Sequence, residues 1–263
     1  MDTGSALDAS ERTIHLPPID PEERDKVWEH LMVVRDGLPE VTIVMSSNEA
    51  WRALDNLESN GGSGALTHAE TLGLIVPVVE SLFDDDDVRE LGLEFHAQLI
   101  LMCAFPSIPE SLALQVAFGR KIGEEQFRKI ARFAVRAHNR GITVDEYIED
   151  LRVADAIPHD RPVRLFRGES RRVPSCVRMQ RAIALLRRTS ALAPEPFRPP
   201  LLCVIAWLQW AQGRRALAIA YLEEALRIEP ANILAHGLNV TFAARLPEWM
   251  GLYRDAIRDT VEL

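Results

Sequence analysis

Apolar residues recur every three or four positions along most of the chain, which is the spacing of one face of an α-helix. After Asp20 and Pro21, a pair typical of a helix start, this spacing continues until Gly37. The pattern also predicts helices at 88–104, 110–118, 124–139 and 143–154. From residue 175 onwards, helical spacing returns without a break longer than a turn. The chain is therefore predicted to be all-α or nearly so.

The N-terminal segment is the part in which one or two short strands are expected. Residues 38–46 carry four β-branched side chains in a row, which favours a strand. Glycine-rich residues at 61–64 predict a linker, and prolines at 156–174 predict an extended connector. The predicted order is an N-terminal segment at 1–60, a linker at 61–64, a helical region at 65–155, a Pro/Arg-rich connector at 156–174 and a second helical region at 175–263.

Residues 199–230 predict a pair of amphipathic helices joined by a turn at Gly213. Small alanines would stand where the two helices cross closely, and Pro230 would end the second helix. The predicted seam places Leu201, Ile205 and Leu208 of the first helix against Ala218, Leu222 and Ala225 of the second.

This pair resembles a tetratricopeptide repeat. The residues that carry the resemblance are Gly213, Ala218, Leu222, Ala225 and Pro230. The aromatic signature of that family's first helix is not reproduced here, because two tryptophans, at 207 and 210, stand off-register. The resemblance implies a helical pair that docks on neighbouring helices, since one repeat cannot bury both of its faces alone.

Residues 193–238 also look like the C-terminal part of an actinobacterial family of unknown function, number four-one-nine-two. A proline-rich entry, a tryptophan-bearing apolar helix, a glycine turn and an alanine-rich helix ending in proline carry this resemblance. It covers about half of the chain, and the α/β N-terminal half of that family has no counterpart here. The resemblance implies a fold and no known activity.

The composition is that of a globular protein, with 47% hydrophobic and 26% charged residues among 263. The formal net charge of −9 argues against generic binding to nucleic acid or to an anionic membrane. Neither a signal peptide nor an apolar run of about 20 residues is present, so we expect a cytoplasmic protein without a membrane span.

The sharpest local feature is a run of nine arginines against one acid, Glu169, between residues 161 and 188. The guanidinium group suits phosphate and carboxylate, so the run is a candidate polyanion patch. An alternative stays open, because residues 80–94 carry seven acids and one base and would offer partners within the chain. The residues singled out for the patch are Arg161, Arg164, Arg167, Arg171 and Arg172.

No catalytic, metal-binding or cofactor-binding motif is recognised. The seven histidines are scattered, and the run 84–87 lacks the alternation of a calcium loop, so it is predicted to be a solvated turn whose last residue caps helix 88–104. Cys103 and Cys203 lie in apolar runs typical of inert buried thiols. Cys176 stands near a predicted helix start without a histidine nearby.

The favoured function is therefore a non-catalytic scaffold that presents a groove to another protein, whose identity and stoichiometry the sequence does not give. The candidate groove residues are Trp207, Trp210 and Tyr221, because excess aromatic residues on a helical pair often serve a partner. The alternative is binding of nucleic acid or of a phosphorylated ligand by the arginine patch. An enzyme of unrecognised type is the second alternative.

Overall fold

The computed structural model describes residues 14–36, 76, 79, 80, 91–104, 107–142 and 144–252, and these ranges contain helices and no strand. The prediction of an all-α body is confirmed for them. The helices are α1 (Pro21–Asp36), α2 (Leu93–Cys103), α3 (Ile108–Phe118), α4 (Arg120–His138), α5 (Val144–Val153), α6 (Arg161–Phe166), α7 (Cys176–Leu192), α8 (Arg198–Ala211), α9 (Arg215–Ile228) and α10 (Ile233–Ala244). A 3-10 turn, Glu195–Phe197, precedes α8, and residues 249–252 are helical.

Two predicted helix starts have different outcomes. Helix α1 begins as predicted, with the Asp20 carboxylate accepting the backbone N–H of Glu22 at 3.0 Å. For the helix predicted over 88–104, the described helix begins at Leu93, because Gly92 is extended (φ −60°, ψ 157°) and glycine disfavours helix. Residues 88–90 lie outside the described residues. The predicted strand 38–46, the linker 61–64 and the acidic run 84–87 lie outside the described residues.

The connector at 156–174 is not extended throughout, because it contains helix α6. The Asp160 side chain caps this helix by accepting the backbone N–H of Val163 at 3.1 Å, and Pro162 stands in its first turn. Gly168 then reverses the chain with φ +71°. A six-residue helix is too short to show a hydrophobic period, so in the sequence only its N-cap residue and its proline indicate it.

The predicted helical pair at 199–230 is confirmed as α8 and α9, which pack along each other. Gly213 makes the turn with φ +79°, a conformation that other residues rarely adopt. All six predicted seam residues are buried. Helix α8 is apolar on every side and lies at the centre of the molecule, where it also contacts α2, α3, α7 and α10.

A second, smaller cluster lies between the C-terminal half of α4 and helix α5. Its buried members are Phe133, Ala137 and Tyr147, which do not join the main core. Helices α1 and α2, the first two of the described chain, pack along each other.

Among the described residues, no single helix has both the length and the apolar character needed to cross a bilayer. Helices α2 and α3 reach that length and hydropathy only when taken together, across a bend of 116°.

Candidate functional site

The three aromatic residues predicted to line a partner groove lie in the core instead. Trp207 and Trp210 are 0% exposed and Tyr221 is 2% exposed. The prediction of an open groove at these side chains is therefore not met, because α8 is enclosed by helices on all sides. Burial raises the pKa of the Tyr221 hydroxyl.

Both tryptophans on α8 satisfy their indole N–H within the fold. Trp207 donates to the carbonyl oxygen of Phe166 at 2.8 Å, and its ring stacks on that phenyl ring with the centroids 5.5 Å apart. Trp210 donates to the carbonyl of Arg245 at 3.2 Å and stacks on Phe242 at 5.0 Å. These contacts give the aromatic residues a structural role that joins α6 and the end of α10 to α8.

The five arginines of the candidate polyanion patch have different surroundings. Arg161 donates to the Glu125 carboxylate at 3.2 Å, and Arg172 donates to the Phe118 carbonyl at 2.8 Å. The other three, Arg164, Arg167 and Arg171, are exposed, and their guanidinium groups make no hydrogen bond or ion pair with a described residue.

Arg178, which belongs to the same arginine run, is used inside the fold. It makes a two-pronged ion pair with Glu80 at 2.8 and 3.0 Å and also donates to the carbonyls of Val116 and Gln115. The Gln115 amide donates to Glu80 at 2.9 Å and to the carbonyl of Val76 at 2.7 Å. The alternative of pairing between the arginine-rich and acidic segments is thus met at this buried ion pair.

The single acid of the arginine run, Glu169, joins the connector to the chain that follows α10. Its carboxylate lies 2.6 Å from His159 Nε2 and 2.6 Å from a guanidinium nitrogen of Arg245. Burial raises the pKa of Glu169, but the hydrogen bond from His159 and the charge of Arg245 outweigh it, so the pKa lies below its ordinary value. The carboxylate is therefore charged and structural.

The nucleophilic side chains show no catalytic arrangement in the described part of the chain. Burial raises the pKa of the Cys103 thiol to about 12 and also raises that of Cys203, so both are protonated at neutral pH. Cys176 is exposed at the start of α7. Within the described ranges, no group of three or more His, Cys, Asp and Glu side chains is placed to hold a metal ion.

His96 is buried in α2 and faces Thr189 of α7. Its Nδ1 lies 2.8 Å from the Thr189 hydroxyl, which itself donates to the carbonyl of Leu185. The hydroxyl must therefore accept from a protonated Nδ1. Burial, followed by the charge of Arg188, lowers the pKa of His96 to about 4, so the ring is neutral at pH 7.

The outward face of α10 carries Ile233, the most exposed large apolar side chain among the described residues. Ile233 is 82% exposed and Val240 is 71% exposed. At 100° per residue, Gly237 and Ala244 fall on the same stripe, and both are exposed. The opposite face, with Ala235, Leu238 and Phe242, packs into the core.

A cleft of about 240 Å³ lies between α4 and α6 and was not identified from the sequence. Arg128 and Arg132 on α4 face Arg161 and Pro162 on α6, with the carboxylates of Glu125 and Asp160 at its walls. One signal was present in the sequence, since Arg128, Arg132 and Arg136 recur every four residues along one helix face.

The described structure thus contains the helical pair that both resemblances imply, while the repeat and the family themselves stay predictions. Comparison of the chain with models of protein families, with curated proteins and with solved structures finds no match to any of them.

Proposed function

We propose that the protein is a non-catalytic helical scaffold and that the outward stripe of α10 binds another protein. The observation that carries the proposal is the exposure of Ile233 and Val240 on a helix whose other face is fully packed. An isolated exposed apolar residue is ordinary, but a stripe along one helix face is typical of a docking surface.

The position of α10 in the fold supports this proposal. Helices α8 and α9 form a pair, and α10 packs against both of them, as the first helix of a following unit would. In stacked helical proteins each unit buries a face against the next, so a helix in this position has one face on the pair and another that a neighbouring unit or a partner can cover.

The stripe fits the apolar face of a partner helix. Gly237 lies between Ile233 and Val240, and a Cβ atom added to it would meet no atom within 4 Å. No described residue therefore requires a glycine here, and its lack of a side chain lets a second helix approach closely. The flanking side chains, His236, Asn239 and Thr241, are polar and carry no fixed charge.

Affinity capture with matched variants tests this function. Native protein, the double variant Ile233→Glu with Val240→Glu, and the control Val153→Glu with Val177→Glu would be used as baits in the presence of nuclease. Both pairs replace exposed valine or isoleucine, so they change charge equally. We expect the native and control baits to recover the same protein and the α10 variant to lose it.

Two outcomes would contradict the proposal. If the same protein is recovered equally by all three baits, the partner binds elsewhere. If no protein is recovered and native and α10 variant behave alike in size-exclusion chromatography, the stripe has no occupant.

A further inference from the structure

The cleft between α4 and α6 concentrates positive charge in a concave site. Three guanidinium groups, those of Arg128, Arg132 and Arg161, line it together with two carboxylates. They come from two helices that pack on each other and are joined by the pair of Lys129 with Asp160 at 3.3 Å. The cleft is therefore formed by the fold and not by one flexible loop.

The charges in the cleft are only partly balanced. The Asp160 carboxylate is used by the buried ammonium of Lys129 and by the cap of α6, and Glu125 accepts from Arg161. Arg128 donates its Nε to the carbonyl of Glu124, while Arg132 makes no hydrogen bond or ion pair with a described residue. The terminal nitrogens of two neighbouring arginines are thus available to an anion.

We propose that this cleft binds the phosphate group of a small phosphorylated molecule. The guanidinium groups of Arg128 and Arg132 would donate to the phosphate oxygens, since the planar fork matches phosphate geometry. Arg161 would turn from Glu125 to complete the site. This site lies outside the α10 stripe and does not depend on the scaffold function.

The buried Lys129 ammonium behind the cleft is influenced both by burial and by its charged neighbours. Burial lowers the pKa of Lys129 in spite of the Asp160 carboxylate, and the charge of Arg132 lowers it further. A bound anion would add a favourable interaction with these positive charges.

The cleft favours a small ligand over a nucleic-acid strand. Its volume of about 240 Å³ holds a compact molecule. None of the described lining residues is aromatic, so it offers no ring on which a base would stack. The carboxylates of Glu125 and Asp160 would also repel the successive phosphates of a polyanion running through the cleft.

Isothermal titration calorimetry with inorganic phosphate and with glycerol phosphate tests the proposal. The variant Arg132→Gln removes one charged donor, and Arg136→Gln is the matched control, because Arg136 is exposed one turn along the same face of α4 and outside the cleft. We expect R132Q to weaken binding of both ligands by about ten-fold or more and R136Q to weaken it less than about two-fold.

A variant that is expected to bind phosphate more tightly controls for a general effect of altered charge. Glu125→Gln frees Arg161 from its partner, so we expect phosphate to bind more tightly to it than to the native protein. Circular dichroism would verify that all three variants are folded.

Three outcomes would overturn the inference. The first is no heat of binding at millimolar phosphate. The second is equal weakening by R132Q and R136Q, which would indicate only a diffuse surface charge. The third is binding of a single-stranded oligonucleotide that is tighter than binding of glycerol phosphate and equally sensitive to both substitutions.

Discussion

Arg178 links parts of the chain that are far apart in sequence. Its guanidinium binds the Glu80 carboxylate and caps the last carbonyls of α3, at Gln115 and Val116. Both charged side chains are largely buried, at 16% and 11% exposure. Such a pair adds little by itself, but removing one partner leaves the other charge buried and costs much more.

We expect Arg178→Met to lower the free energy of unfolding by about 3–5 kcal/mol, because Glu80 would stay buried without its counter-ion. Urea denaturation followed by circular dichroism measures this. Arg188→Met is the control, since Arg188 pairs with Glu23 at the exposed surface at 2.9 Å and should cost less than about 1 kcal/mol. Similar small losses in both variants would show that the buried pair is not a stabilising element.

His96 makes stability depend on pH through a single buried ring. Its pKa in the folded protein is about 4, below its ordinary value of 6.5, because burial disfavours the charged form. The unfolded chain therefore takes up a proton that the folded chain does not. The contribution of His96 to the free energy of unfolding is fully present at neutral pH. It is lost as the pH drops from about 6.5 to about 4, by ~3 kcal/mol in total.

The variant His96→Asn isolates this effect, since the Asn amide can still donate to the Thr189 hydroxyl but does not titrate. We expect its unfolding free energy, measured in urea between pH 4 and pH 7, to fall less steeply below pH 6.5 than that of the native protein. Parallel curves for the two proteins would assign the acid sensitivity to other groups.

At the scale of helices, two glycines inside helices differ in their surroundings. Gly123 of α4 faces Gln115 of α3, and a Cβ on it would lie 2.5 Å from the amide oxygen of that side chain. Gln115 cannot yield freely, because it donates to Glu80 and to the Val76 carbonyl. A Cβ on Gly237 of α10 would meet no atom of the described residues within 4 Å.

The same substitution should therefore change stability in opposite directions. We expect Gly123→Ala to destabilise the protein by about 1–3 kcal/mol through overpacking, and Gly237→Ala to stabilise it by about 0.5–1 kcal/mol through helix propensity. Thermal unfolding of both variants against the native protein measures the two shifts. A rise in melting temperature for G123A, or a fall for G237A, would contradict the assignment.

At the scale of the whole molecule, the sequence predicted local features better than surfaces. The turn at Gly213 and the seam around Leu222 follow from spacing within 32 residues, so they could be foreseen. The burial of Trp207 could not be foreseen, because it depends on how many helices surround α8. The cleft escaped prediction for a similar reason, since Glu125 and Arg161 meet only through the packing of α6 on α4.

The packing also divides the molecule into regions of unequal stability. Helix α8 contacts helices from both halves of the described chain, so exposing its amides requires disruption of the main core. Helix α5 packs on α4 through the separate cluster of Phe133, Ala137 and Tyr147. We therefore expect α5 to detach while the main core stays intact, at a lower cost in free energy than global unfolding.

Native-state hydrogen exchange with a core variant separates the two processes. Leu222→Ala raises the free energy of the folded state and of the state with α5 detached by the same amount, about 2–5 kcal/mol, because Leu222 is buried in both. We therefore expect faster exchange of the α8 amides in this variant and unchanged exchange of the α5 amides. If the amides of both helices accelerated together, α5 would open only with the rest of the molecule, and the main core and the cluster around Tyr147 would be one cooperative unit.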